Sequence, residues 1–395
     1  MISSPSQKRV IDQQPHAQIG QDNRLVYNVR MDGNESRVRD RRAVVGLSGG
    51  VDSAVAAALL QQTGYVVHGI ALRTWKAQEL EETRARPTPE QRARAVAHHL
   101  GIPLMEHDVR QEFYTHVVEP FARAYAAGRT PNPCVFCNPT LKFAALLNEA
   151  DRSDARWIAT GHYARVVHAE GEPSRLFGAC AEAKDQSYAL YRLTQHQLSR
   201  MILPLGEMVD KSQVREIARR MHLPSAEADD SQDLCFIATG AHADLVGQLQ
   251  DEAVAPGPIY DLQGNLIGHH KGLPHYTVGQ RSGLRIAAAE RLYVLQLDPE
   301  RNALIVGGRR ALQITACNLS DVTFTVAAPE GSSFETLGRI RYRAPLVPIH
   351  VTLRSECEAD VVFATPQVGV APGQSLVFYR DKEVLGGGVI TQTRS

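Results

Sequence analysis

The chain has no excess charge of either sign: 43 Lys and Arg residues stand against 43 Asp and Glu residues in 395 positions. No global positive field announces a nucleic-acid partner, so any polyanion has to be met by a local patch. An apolar run long enough to span a bilayer is also missing, which argues against membrane insertion. The first 42 residues lack the apolar core of a cleaved secretory signal and read as a disordered extension. Arg37, Arg39, Arg41 and Arg42 at its end read as a solvated charge run. Six cysteines are too few for a disulfide scaffold in a chain of this size, so a reducing, cytoplasmic setting is expected. Internal repeats and low-complexity blocks are absent as well. What remains, 43% hydrophobic and 22% charged residues, is the composition of a soluble protein with two or three domain cores.

Two familiar phosphate motifs are missing too: no Lys follows a second glycine at Walker A spacing, and the dinucleotide fingerprint is not present. In their place Ser48-Gly49-Gly50-Val51-Asp52-Ser53 follows the apolar run Ala43 to Leu47 and precedes the helix-forming run Ala54 to Leu60. This is a strand, a phosphate-sized loop and a helix. The glycines let the backbone approach an anion, and the helix start offers unpaired N–H groups and a positive dipole end. Two hydroxyls and one carboxylate suit a pyrophosphate, with Asp52 near a magnesium ion.

From Arg42 to about Ala164, strands at Ala43–Leu47, Val66–Leu72, Pro103–Val109 and Trp157–Thr160 alternate with helical segments at Pro89–Leu100 and Glu112–Ala127. Each helix is stopped by a glycine, Gly101 and Gly128. Alternation of this kind predicts an α/β fold with a doubly wound parallel sheet over residues 43–207. Ligands gather at the carboxyl ends of such strands, where Ser48–Ser53, Arg73–Trp75 and Gly161–Tyr163 emerge. A helical stretch from Asp210 to Leu223 opens a smaller connecting module, residues 208–287. In residues 288–395, short strands starting from Leu292–Leu297 and Ala303–Val306 predict a C-terminal β-barrel.

The segment Gly128 to Asn138 holds Pro131, Pro133, Cys134 and Cys137, a stretch too rigid for a helix interior. A Cys-x-x-Cys pair binds metal, exchanges electrons, or sits in the core as two small apolar residues. A four-cysteine zinc site needs a second pair, and Cys180, Cys235, Cys317 and Cys357 are each solitary. Cys235 differs from the other three because a polar approach, Asp229 to Asp233, precedes it and an apolar anchor, Phe236-Ile237, follows. Cys134, Cys137 and Cys235 can hold an iron–sulfur cluster with one open iron, or two of them can form a reactive dithiol.

At this point the residues resemble the tRNA-specific 2-thiouridylases (MnmA), a family of pyrophosphatase-loop ATP-dependent enzymes. The likeness runs from about Arg42 to Val389 and rests on Gly46 to Ser53, Gly128 to Pro133 with Cys137-Asn138, Ala159 to Ala164, Lys184 to Tyr188, Asp230 to Ile237, Tyr276 to Arg281, Ile340 to Arg343 and Gly386 to Val389.

The resemblance implies adenylation of the C2 oxygen of a wobble uridine by ATP, followed by displacement of AMP by sulfur. By position, Cys137 resembles the nucleophile and Cys235 the carrier of a persulfide. Gly46, Leu47, Ser48, Gly49, Gly50, Val51, Asp52, Ser53 and Gly161 resemble ATP contacts, and Leu72 stands where the backbone meets adenine. His162, Lys184, Asp185, Gln186, Arg341, Tyr342 and Gln374 resemble tRNA contacts. ATP with Mg2+, tRNA and a sulfur-donor protein, either a cysteine desulfurase or a sulfur relay, are the implied ligands and partners. The chain departs from the family pattern at Cys134, where an Asp often follows Asn-Pro. A thiol does not replace a carboxylate as base at neutral pH unless its pKa is depressed. Two routes follow: a [4Fe-4S] cluster on Cys134, Cys137 and Cys235, or a Cys137/Cys235 pair alternating between persulfide and disulfide.

A basic face for tRNA is expected from Arg129, Lys142, Lys211, Arg215, Arg219 and Arg220. The competing classes are a pyrophosphatase-loop ligase or amidotransferase acting on a small molecule, and a tRNA- or iron-binding module without chemistry.

Overall fold

The computed structural model describes residues 39–74, 87–228, 234–237, 242–250, 254–288 and 290–395. Most of the N-terminal extension, Trp75 and the acidic stretch 229–233 lie outside the described residues.

Strands β1 (Arg42–Gly46), β2 (Val66–Arg73), β3 (Leu104–Asp108) and β4 (Trp157–Ala159) belong to one parallel sheet. A short hairpin follows, β5 (Ala164–Val167) and β6 (Arg175–Gly178), and then β7 (Met201–Ile202) returns to that sheet. Its order is β3-β2-β1-β4-β7, with parallel pairing throughout. Ala43, Val44 and Val45 of β1 are wholly buried, as expected of a central parallel strand covered on both faces. The chain runs outward through β2 and β3 on one side and crosses to β4 on the other. The switch point therefore lies between β1 and β4, and a crevice opens beyond their carboxyl ends.

Helix α1 (Val51–Gln62) is apolar almost all round, with Val51 and every residue from Ser53 to Leu60 buried. The sheet covers one side, and Val214, Ile217 and Ala218 of the Lys211–Arg220 helix pack in the same core. That helix, expected in the connecting module, is thus built into the nucleotide-binding layer. Helix α2 (Pro89–Leu100) has the predicted bounds, fixed by a Thr88/Gln91 capping box and by Gly101 in the left-handed region at φ 64°. The expected Glu112–Ala127 helix begins earlier, at Arg110, and passes through a π-turn at Tyr114–Val118 before ending at Ala126.

Strands β8 (Gly257–Tyr260), β9 (Leu266–His270), β10 (Tyr293–Asp298) and β11 (Ala303–Gly307) form a separate four-stranded sheet in the order β10-β11-β8-β9. The strands near 292 and 303, read from the sequence as the start of the barrel, belong here. Short strand runs specify that pairing exists but not which partner is used.

The barrel consists of β12 (Gln313–Phe324), β13 (Ser333–Arg339), β14 (Val347–Leu353), β15 (Ala359–Val368), β16 (Ser375–Arg380) and β17 (Glu383–Arg394). Their order is β12-β15-β14-β13-β16-β17, and direct β12–β17 pairing closes the ring. Closure removes the open edges. At one end Glu383 and Val384 of β17 also pair with β6, so the β5–β6 hairpin continues the barrel sheet into the nucleotide layer. A bidentate Arg175–Glu383 ion pair with the carboxylate buried reinforces the join.

Candidate active site

The loop after β1 is organised by its own hydroxyls. The main-chain N–H of Ser48 donates to Ser53 Oγ at 3.2 Å, the two hydroxyl oxygens stand 3.2 Å apart, and Ser53 Oγ donates to Gly50 O at 3.1 Å. Gly49 sits at φ 76°, which a side chain rarely tolerates, and a Cβ there would lie 2.4 Å from Pro89 O at the start of α2. Gly50 caps α1 without a side-chain hydrogen bond, leaving the first-turn N–H groups to an anion. Gly161, beyond β4, presses on this turn: a Cβ would lie 2.6 Å from Asp52 C and 2.7 Å from Ser53 N. Gly46 ends β1, Leu47 donates its N–H to Ile70 O, and Leu72 lies at the carboxyl end of β2. The predicted nucleotide residues thus surround the crevice at the switch point.

Asp52 is already engaged on two sides. Lys211 Nζ donates to both of its carboxylate oxygens at 2.6 Å, and Tyr163 Oη donates to one of them at 2.7 Å. Neither contact was foreseen. Their sequence signals are Asp210, which caps the Lys211 helix by accepting from Gln213 N, and the Tyr that closes Gly161-His162-Tyr163.

The cysteine segment is held from two sides. Cys134 N–H donates to Asn132 Oδ1 and Cys137 N–H to Pro133 O, forming one helical turn, Cys134–Cys137. A π-turn, Asn138–Lys142, follows, a feature frequent at functional sites. From the barrel, Gln374 Nε2 donates to Thr130 O at 2.6 Å, and Thr130 N–H donates to Pro372 O at 2.9 Å. Gln374, expected to contact tRNA, is here a clasp on the cysteine loop.

Cys137 is buried among Phe113, Phe121, Tyr125 and Phe236. Phe236 stacks edge-on against Phe113 and Phe121, with ring centroids 5.6 and 5.3 Å apart. The apolar anchor read from the sequence therefore ties the exposed Cys235 beside buried Cys137. Lys142 lies among the cysteines rather than on an outer basic face. Burial pulls its pKa down, but interaction with Cys137, Cys235 and Cys134 outweighs this and raises it. Burial pushes the Cys137 thiol up to about 11 against the opposing pull of Lys142, and burial likewise raises Cys134. All six cysteines are free thiols, and among the described residues no three His, Cys, Asp or Glu side chains form a group that could hold a metal ion.

His162 connects the two halves. Its Nδ1 lies 2.7 Å from Thr160 Oγ1, and its ring lies 5.8 Å from that of Phe143, the residue after Lys142. Burial and then the nearby Lys142 charge lower its pKa to about 3, so the imidazole is neutral. Of the remaining predicted tRNA residues, Asp185 is turned inward, accepting from Arg339 Nη1 and from the N–H groups of Ala179 and Ser187. Gln186 Oε1 accepts from Tyr163 N–H. Lys184 is half-buried, while Arg341 and Tyr342 are exposed at the barrel, with Arg343 5.1 Å above the Tyr342 ring. The expected helical stripe of basic residues is largely spent: Lys211 on Asp52, Arg219 on Glu227, and Arg215 on the carbonyls of Ala226 and Ala228.

A phosphate-cradling loop at a switch point, linked through His162 and Lys142 to paired thiols, defines a class of enzyme that activates an oxygen with a nucleotide and replaces it with sulfur. Family models match along the chain: a tRNA methyl transferase HUP domain at residues 41–239, a tRNA methyl transferase PRC-barrel domain at 247–308 and an aminomethyltransferase beta-barrel domain at 314–390. The tRNA-specific 2-thiouridylase MnmA of Chloroflexus aurantiacus is 43% identical over 352 residues, covering 88% of this chain and 98% of its own. That of Syntrophotalea carbinolica is 44% identical over 355 residues, covering 89% and 99%. A solved 4-thiouridine synthetase in complex with RNA and bound ATP overlaps at a TM-score of 0.34 and 18% identity over 53% of this chain and 50% of that one, a likeness too loose to say more. The chain belongs to the family of tRNA-specific 2-thiouridylases.

Proposed function

We propose that this protein is a tRNA-uridine 2-sulfurtransferase that uses ATP to replace the C2 oxygen of a wobble uridine with sulfur. The observation that carries the reading is the run of neighbours linking the phosphate loop to the thiols. Gly161 touches the phosphate loop, its neighbour His162 lies beside Phe143, and Lys142 joins His162 to the thiols.

The uridine oxygen attacks the α-phosphorus of ATP, and pyrophosphate leaves. A terminal sulfur carried as a persulfide on Cys235 then attacks C2, and AMP departs with the former oxygen. The Cys137 thiolate displaces the thiolated base from Cys235, leaving a Cys137–Cys235 disulfide that a thiol reductant reopens before a sulfur-donor protein recharges Cys235. Exposed Cys235 suits the residue that must meet a donor protein, and buried Cys137 suits the one that acts only inside. Lys142 offers a fixed positive charge to the anionic sulfur.

Asp52 fits the role of magnesium ligand, because an ammonium already stands against its carboxylate where a cation would sit. The ion, when bound, would neutralise the phosphate charge. The three thiols do not gather into a metal-holding group, so no step is routed through an iron–sulfur cluster. We place the reaction in the cytoplasm; among the described residues no helix is long and apolar enough to cross a membrane.

The test is AMP and pyrophosphate release by anaerobically purified protein with and without wobble-uridine tRNA, together with iron content and mass analysis of the tRNA. Release that depends on tRNA, with one oxygen-to-sulfur exchange and no iron requirement, is expected. Thiolation that requires iron overturns the persulfide route, and absence of tRNA dependence overturns the assignment.

A further inference from the structure

We propose that Lys211 is a phosphate-binding residue of the nucleotide site, parked on Asp52 until the triphosphate draws its ammonium onto the β- and γ-phosphates. This rests on the ATP-dependent reading above and adds to it a residue from outside the loop.

The argument begins with charge. The segment Ser48 to Ser53 contains no cation, and its one ionisable side chain, Asp52, is negative. A triphosphate entering such a loop needs positive charge from elsewhere. Among the described residues, Arg92 and Lys211 reach the loop. Arg92 directs Nε to Gly49 O at 3.1 Å and Nη1 to Pro87 O at 2.6 Å, so its donors brace the backbone. Lys211 places Nζ against Asp52, in the first turn of α1, whose N–H groups face the anion position.

The backbone behind Lys211 is fixed, and its side chain reaches across from it to Asp52. Asp210 caps the helix through Gln213 N–H, and Val214 and Ala218 are wholly buried against α1. The carboxylate remains 33% exposed and the lysine side chain 14%, so the pair opens to the crevice. The Tyr163 ring, 5.9 Å from Nζ, flanks the ammonium, and its hydroxyl keeps a hydrogen bond on Asp52. Oxyanions of a triphosphate offer the ammonium more negative charge than one carboxylate, which favours the transfer. In that position Lys211 touches the pyrophosphate that leaves during adenylation and stabilises its developing charge.

A staple between two helices would give the same resting contact, and nucleotide choice separates the two roles. Full-length Lys211→Gln protein, titrated by calorimetry with magnesium present, is expected to bind ATP at least ~10-fold more weakly and AMP within ~2-fold of wild type, because only ATP reaches the lost charge-assisted contact. Lys211→Arg is expected to recover most of the ATP affinity. Unchanged ATP affinity, or equal losses for ATP and AMP, overturns the proposal while leaving the thiolation reading intact. Failure of wild-type protein to bind ATP removes that reading instead. Should Lys211→Gln not fold, acetylation of wild-type Lys211, followed by mass spectrometry, is expected to be slower with ATP than with AMP. Equal rates overturn the proposal.

Discussion

The phosphate loop and the cysteine pocket are linked through His162 and Lys142 but are built in opposite ways. Residues 46–53 form a continuous strand, turn and helix start shaped by hydrogen bonds among Ser48, Gly50 and Ser53, with Gly161 pressed against the helix start. The cysteine pocket is assembled at long range. Cys134 and Cys137 sit on one turn, Cys235 arrives about a hundred residues later behind the Phe236 anchor, and Gln374 from the barrel clasps the loop ahead of them. A locally built site depends on small residues and backbone geometry, whereas an assembled one depends on clamps far from the chemistry.

Substitutions can break that division, from the largest expected effect down. Cys235→Ser should lower tRNA thiolation at least ~1000-fold while leaving tRNA-dependent pyrophosphate release intact, since the loop does not need the thiol. Thiolation assays by mass spectrometry beside a pyrophosphate assay check this, and loss of both would join the two sites into one unit.

Gly161→Ala attacks a close backbone contact of the local site. The added methyl meets backbone at 2.6 and 2.7 Å, so ATP affinity should fall ~10-fold or more, measured by calorimetry, as the first turn of α1 is displaced. Gln374→Ala should do the reverse. Thiolation should drop ~10-fold with ATP affinity unchanged, because the loop from Thr130 to Cys137 loses its barrel clasp.

Lys142→Met sharpens the electrostatics of the assembled site. Because the ammonium holds down a Cys137 pKa that burial still pushes up to about 11, its removal raises that pKa further. Cys137 alkylation at mildly alkaline pH should slow ~3-fold or more, following the smaller thiolate fraction.

His162 gives the smallest and most specific effect. Its folded pKa of about 3 lies below the ordinary 6.5, so between these values the unfolded chain holds a proton that the folded one does not. The stability tied to its neutral form is present above pH 6.5 and is lost as pH falls towards 3. Wild type should therefore lose stability relative to His162→Asn across that window, read by urea unfolding at several pH values. A difference independent of pH would show that the ring is not held neutral.

Much of this was legible in the chain. Helix α2 was legible from its periodicity and from Gly101, a stop signal carried within the segment itself. The loop residues could be named for the same reason. Lys142 and Lys211, by contrast, read as members of a basic surface. One lies among thiols and the other on a carboxylate 159 positions away, and no local pattern encodes either meeting. Asp185 resembles an RNA contact only by its position in the family motif, and its carboxylate is the buried partner of Arg339 from the barrel, a meeting no local pattern encodes.

The sequence by itself determined the elements that short-range stereochemistry controls: a buried parallel strand, a glycine turn with φ above zero, capped helices and a proline-stiffened cysteine loop. The tertiary structure alone decided which strands joined the four-stranded sheet or the barrel, which cation met Asp52, and how an exposed cysteine came to lie beside a buried one. Backbone dihedrals and caps are set within a few residues, whereas partner choice is set by the burial of distant apolar surface and the pairing of distant charges, and those depend on the whole chain at once.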